Sequence, residues 1–340
     1  MTASRHTGLA LPKAAERTTP RFYWIVVTLA VMAAAALFYA RLPILTSLRG
    51  LAFDAYQHAS PAAPLLNSPI RVVQIDEASL ARLGQWPWSR ALMADLTEKI
   101  GDDGAAAIAY DALFAEPDRT SPEQIFANAP AEQRATIMRA LGDQAASHDA
   151  RFAQALDRYP TVLAASLHNE ATPEDFPTHA GFATAGDDPA PFLNSYPGVA
   201  ASLPQLSDAA DGAGFINWLP DGDQVVRRIP LLLRHNDEIT PSLSLEALRV
   251  AMGASTYLVR ASNASGAQAF GAHTGLSAIR VGDLAIPTDA EGQIWLHVRR
   301  YDPREDIPAW KVLSGAVAPG TFRGAIVLIG ASAPGLMDLR

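Results

Sequence analysis

Three acids, Asp76, Glu77 and Asp111, are the residues in this chain whose types and places most invite a chemical reading. Asp76 and Glu77 follow an apolar run at 70–75, and Asp111 follows a second at 105–110. Carboxylates gathered at one place could hold a divalent cation, because hard cations take oxygen ligands. Acids in such positions also cap the helix or turn that follows. Between them stand Trp86, Pro87, Trp88, Ser89 and Arg90. Two indoles and a guanidinium could make a stacking wall with a cationic handle for a small anion or ring. The same residues could instead be a hydrophobic staple, locking a loop onto a helix that starts at Ser89.

Other patterns exclude more than they offer. Asp221-Gly222-Asp223 lacks the twelve-residue frame and closing Glu of a calcium loop, and reads as a turn. Residues 330–335 are glycine-rich but have neither the Gly-x-Gly-x-x-Gly frame nor the Walker lysine. Ser332 lacks the Gly-x-Ser-x-Gly elbow of a hydrolase nucleophile. The chain has no cysteine, which removes disulfides, thiolate–zinc sites and cysteine nucleophiles. His148, His168 and His235 stand apart and read as surface residues. No catalytic residue, metal or cofactor is assigned on these grounds.

The acids must be positioned by the elements around them. Residues 70–75 and 105–110 are short, apolar and β-branched in part, as strands are. Between them Ser89 stands at an N-cap position, and Leu92, Leu96 and Ile100 recur at helical spacing before Gly101 and Gly104. Strand, helix and strand read as a right-handed βαβ unit with parallel, neighbouring strands. Ligands of open α/β sheets bind outside the carboxyl ends of the strands. Asp76 and Asp111 would then open into one crevice with Arg90 at its mouth, a setting for a small polar or zwitterionic ligand.

Further along, residues 161–167 read as a third buried strand and 121–159 as helix in pieces around Gly142 and Ser147. Residues 170–204 read as loop or insertion. The Pro220–Asp223 turn predicts a hairpin of 214–218 with 225–233, and Gly282-Asp283 a second one of 277–281 with 284–287. Residues 241–252 form an amphipathic helix pattern, 256–275 a small, polar surface segment, 293–299 a strand, 308–315 a short helix and 325–329 a closing strand.

The N-terminal 21 residues are polar and carry Arg5, Lys13, Arg17 and Arg21. The next 19 residues, 22–40, are uncharged and have aromatic rings at both ends. That is close to the roughly 20 residues a bilayer-spanning helix needs. A cleaved signal peptide fits less well, because Phe38 occupies the place where a small residue is wanted. The balance of Lys and Arg puts residues 1–21 in the cytoplasm as a tail and everything after residue 40 outside. Residues 41–60 read as a stalk helix and 61–340 as the extracytoplasmic domain. A net charge of −8 argues against a nucleic-acid partner. The expected fold class is α/β: a mostly parallel central sheet flanked by helices, with an added hairpin region, preceded by one N-terminal transmembrane helix.

Several stretches together resemble a known family. VVQIDEASLARLGQWPWSRALMADL resembles the opening strand and Gly-x-Trp-Pro-Trp-x-Arg element of the CHASE domain of the second class, CHASE-2. AAAIAYDALFAEPD resembles its second strand and acidic turn. GFINWLPDGDQVVRRIPLLL resembles its Gly-Phe-x-Asn hairpin with the Asp-x-Asp turn, and adds Asn217 to the candidate ligand residues. PSLSLEALRV and AIVLIGASAPGLMDLR resemble its later helix and closing strand. The resemblance implies an extracellular sensory domain of a bacterial transmembrane receptor, in the cell membrane, working as a homodimer on an unidentified small-molecule ligand. Such domains precede adenylate or guanylate cyclases, histidine kinases and related effectors, so the parent could be one of these. An anchored extracytoplasmic hydrolase is the remaining alternative.

Overall fold

The computed structural model describes residues 21–39, 43–62, 68–142, 146–265, 275–299 and 306–333. The chain divides into two units, Met1–Ser60 and Pro61–Arg340. In the first, α1 spans Arg21–Tyr39 and α2 spans Pro43–Ala59. Trp24, Ile25, Leu29 and Met32 of α1 are exposed. Among the described residues no helix is long and apolar enough to cross a membrane, so the span expected at 22–40 is not shown.

In the second unit the chain runs through β1 (Ile70–Ile75), α3 (Glu77–Leu83), α4 (Arg90–Asp102) and β2 (Ala107–Asp111). The short α5 (Pro122–Ile125), α6 (Ala131–Leu141), α7 (His148–Arg158) and β3 (Thr161–His168) follow. Next come β4 (Gly181–Ala185), β5 (Ser195–Tyr196), β6 (Gly198–Ala200), α8 (Pro204–Ser207), β7 (Gly212–Phe215) and β8 (Arg228–Pro230). Then come β9 (Leu232–His235), β10 (Glu238–Pro241), α9 (Leu243–Ala251), β11 (Thr256–Ala261), β12 (Leu276–Val281) and β13 (Leu284–Pro287). The described chain closes with β14 (Gln293–Trp295), β15 (Asp306–Pro308), α10 (Ala309–Leu313) and β16 (Ile326–Ala331).

The main sheet has the order β15-β1-β16-β2-β3, with β7 parallel and β6 antiparallel to β3. All its other pairings are parallel. This corrects one expectation: β1 and β2 are not neighbours, because β16 lies between them. The crossover through α3 and α4 skips a strand, and β16, far along the chain, fills the gap. Its register places Gln74 beside Gly330 and Gly330 beside Asp111.

One face of this sheet packs against α4 and α7. Val73, Ile75, Ile108, Tyr110, Val327 and Ile329 meet Met93, Leu96, Ile100, Phe152 and Leu156, all at most 1% exposed. Ser89 caps α4 as its place in the sequence predicts, its Oγ accepting from the Leu92 N–H at 3.2 Å. The other face carries α9 over β2, β3 and β7, with Leu243 and Ala247 on Ala109, Val162 and Ala164. The approach of α9 requires glycine beneath it: a Cβ on Gly214 would lie 2.4 Å from the Leu243 Cα. Glu246 of α9 is fully buried, paired with both Nε and Nη2 of Arg249 and accepting from the Tyr257 hydroxyl. Arg249 donates in turn to the carbonyls of Asp211 and Ala254 at 2.7 Å, so this network ties α9 to the start of β7 and to β11.

Among the described residues three smaller sheets accompany it, ordered β13-β12-β11-β4, β10-β9-β5 and β14-β8. The β12–β13 hairpin forms as expected. The hairpin of 214–218 with 225–233 does not: β7 joins the main sheet, and β8 pairs with β14. Two side chains pull that connection apart. Asn217 hooks onto Leu167, and buried Arg227 binds Asp221 and Asp223. The tight hairpin is β9–β10, turning through Asn236 at φ 52°. Within the expected surface segment 256–275, β11 is a central strand, with Tyr257, Val259 and Ala261 buried alternately; residues 266–274 lie outside the described ones. The expected loop 170–204 contains β4, β5 and β6, and the strand expected at 293–299 is limited to β14.

Candidate functional site

The carboxyl ends of β1, β16 and β2 face one edge of the main sheet. Asp76 stands there as the N-cap of α3, its Oδ1 accepting from the Ser79 N–H at 2.8 Å. Glu77 is exposed in the first turn of that helix, where its charge suits the helix dipole. Trp88 is 4% exposed, packs in the main core, and donates from Nε1 to the Gly84 carbonyl at 2.9 Å. Trp86 is half-buried against it, with ring centroids 5.9 Å apart in an edge-on arrangement.

Arg90 is engaged elsewhere than at a crevice mouth. Its side chain is buried, lies 4.5 Å over the Phe114 ring, and reaches the Glu116 carbonyl and Asp149. Its backbone N–H donates to Asp118. Burial lowers the guanidinium pKa from its ordinary value, against the opposing pull of Asp149 and Asp118. The zwitterion reading thereby loses its cation. Asn217 likewise serves the backbone: its side-chain amide accepts from the Leu167 N–H and donates to the Leu167 carbonyl, prolonging the β3 edge.

Asp111 is different. It ends β2 exposed, with no hydrogen bond or ion pair among the described residues, and partial desolvation raises its pKa above the ordinary carboxylate value. Register puts Gln74 and Asp111 on the same face, two strands apart and thus about 10 Å between Cα atoms. Gly330 lies between them and leaves a gap one side chain wide. Beyond it Ser332 donates from Oγ to Gln74 Oε1 at 2.8 Å, leaving the Gln74 NH₂ without a described partner. The edge therefore offers a carboxyl acceptor whose pKa partial desolvation raises, an amide donor and a floor with no side chain. A small ligand presenting a donor or a positive charge to Asp111 suits it. Among the described residues, no group of three or more His, Asp or Glu is placed to hold a metal ion.

Reading the sequence missed Gln74, whose role appears only from the register, and the polar cluster beyond β2. Asp118 accepts from the N–H of Arg90, the N–H and hydroxyl of Thr120, and lies 3.0 Å from His148 Nδ1. Two histidines correct the surface reading: His148 joins this cluster, and His235 is 2% exposed.

The CHASE2 domain model matches residues 27–340, essentially the whole chain. The chain belongs to the CHASE2 family. CHASE2 domains are extracellular sensory domains of receptors, and they are not catalytic. No curated protein and no solved structure matches the chain.

Proposed function

We propose that this CHASE2 domain is the extracytoplasmic signal input of a bacterial membrane receptor, and that its ligand binds at the strand-end edge beside Asp111. The observation that carries the ligand site is the Asp111 carboxyl itself, unpartnered among the described residues and held in a setting that disfavours its charge. Structural acids are normally compensated, as Asp76 and Asp118 are here. An uncompensated, perturbed carboxyl at a strand-end edge marks a functional candidate. Signalling follows if the ligand binds one arrangement of the receptor better than another, since only differential affinity shifts an equilibrium. The anchor in this account is α1. Its support is the uncharged sequence 22–40 and the exposed apolar side chains Trp24, Ile25, Leu29 and Met32.

The reading is tested in two places. Reporter fusions after Ser60 are active only outside the cytoplasm; activity inside overturns the orientation. A receptor carrying Gly330→Val, whose added methyl groups fill the gap beside Asp111, stops responding to its stimulus; an undiminished response removes the ligand from this edge.

A further inference from the structure

Helix α2 shows an uncovered apolar face that the ligand reading does not use. Leu48, Leu51 and Tyr56 are 56%, 63% and 77% exposed, and Ala52, Ala55 and Ala59 beside them are exposed too. Together they fall at i, i+3, i+4, i+7, i+8 and i+11, one stripe along roughly 18 Å of helix. The opposite face is covered: Gly50 is buried, and Phe53 and Gln57 are half-buried. Large apolar side chains in a continuous exposed stripe mark a contact surface.

We infer that α2 pairs in parallel with α2 of a second copy of this chain, in a two-fold seam of Leu48, Ala52, Ala55 and Ala59. Their spacings of four, three and four are those of alternating d and a positions in a coiled coil. With these at the centre, Leu51 takes a g position and Tyr56 the e position of the next heptad. In a parallel pair such positions meet across the seam, so Leu51 of each copy covers Tyr56 of the other. The whole stripe is then used, and each contact occurs twice by symmetry.

The flanks choose the direction. Arg49 lies on the Tyr56 flank and Asp54 on the Leu51 flank, where His58 Nδ1 is turned back to the Asp54 carbonyl at 2.7 Å. A parallel pair sets unlike flanks together, whereas an antiparallel pair sets the Arg49 flank against its own copy. One base balanced by one acid also disfavours a lipid surface as the occupant, because helices lying on anionic lipid are rich in Lys and Arg. The seam is short against the roughly 1,600 Å² of a standard interface, so it joins copies that are already held close. The anchor reading of α1 supplies that closeness by confining both copies to one membrane. Register and direction rest on α2 alone.

The chain has no cysteine, so single cysteines report the seam without interference. In the full chain in membranes, Leu48→Cys, Ala52→Cys, Ala55→Cys and Ala59→Cys each give disulfide-linked dimers on mild oxidation. Gln57→Cys, on the covered face, gives almost none, because a disulfide needs Cα atoms within about 7 Å of each other. Equal linking at all these positions, or none at any, as a face covered by lipid or by another protein would give, overturns the seam. Linking at Ala52 and Ala55 with none at Leu48 and Ala59 overturns the parallel direction. Adding Ala55→Glu to Leu48→Cys sets like charges against each other at an exposed site and lowers the linked yield about tenfold. An undiminished yield would mean that the links come from random collision, and refutes the seam.

Discussion

Gly330 stands beside Asp111 in the register of β16 and β2, and a Cβ placed on it would lie 3.5 Å from the Asp111 Cβ and 3.8 Å from Oδ2. That is ordinary contact, so a methyl group fits and anything larger takes the room a ligand would use. The relationship gives the acids of this edge separate roles. Asp76 has a helix to cap; Asp111 has an empty neighbour position and a carboxyl held above its usual pKa.

The buried indole is structural, and its loss is costly. Trp88→Ala removes a side chain 4% exposed and packed in the main core, for which about 3–5 kcal/mol is the usual cost. Thermal or denaturant unfolding measures it. An unchanged midpoint means that the ring does not pack in the core and reopens the stacking-wall reading.

Glu246→Ala leaves Arg249 as a buried cation facing only carbonyls and strips the Tyr257 hydroxyl of its acceptor. Breaking one side of a buried pair costs roughly 3–5 kcal/mol. Urea unfolding of the variant is expected to show that loss, and a shift under 1 kcal/mol would mean the network contributes little.

Asp118 adds a pH dependence of its own. Its folded pKa lies below the unfolded value, so its contribution is present above the ordinary carboxylate range and is lost as pH falls through the folded value. Stability curves recorded from pH 6 to pH 2 fall more steeply for the unaltered chain than for Asp118→Asn. Parallel curves would show that its hydrogen bonds do not favour the charged form.

Much of the scaffold was legible in the residues. The apolar runs at 70–75, 105–110, 161–167 and 325–329 all fall on strands of the main sheet, and Ser89 caps the helix its spacing implies. Partner choice was not legible. Nothing local tells residues 326–331 to enter between two strands laid down more than 200 residues earlier; the main sheet decides this through burial on both faces. The Pro220–Asp223 turn looked like a hairpin tip because turn chemistry is local, whereas Asn217 and Arg227 redirect the chain through contacts that periodicity does not encode. At the site, the acids were visible as acids. That Asp76 is satisfied, Arg90 turned into its own cluster and Gln74 raised beside the gap depends on hydrogen bonds and register.

The most direct test of the account is Asp111→Asn in a receptor carrying this domain, with thermal midpoint and ligand-dependent output measured on the same preparation. A raised folded pKa means that the ionised carboxyl is disfavoured in the fold at neutral pH, so removing the charge costs no stability. The account predicts a midpoint that is unchanged or higher, together with loss of the response. A collapsed midpoint would make Asp111 a structural cap, and a full response from the folded variant would place the ligand elsewhere; either result contradicts the account.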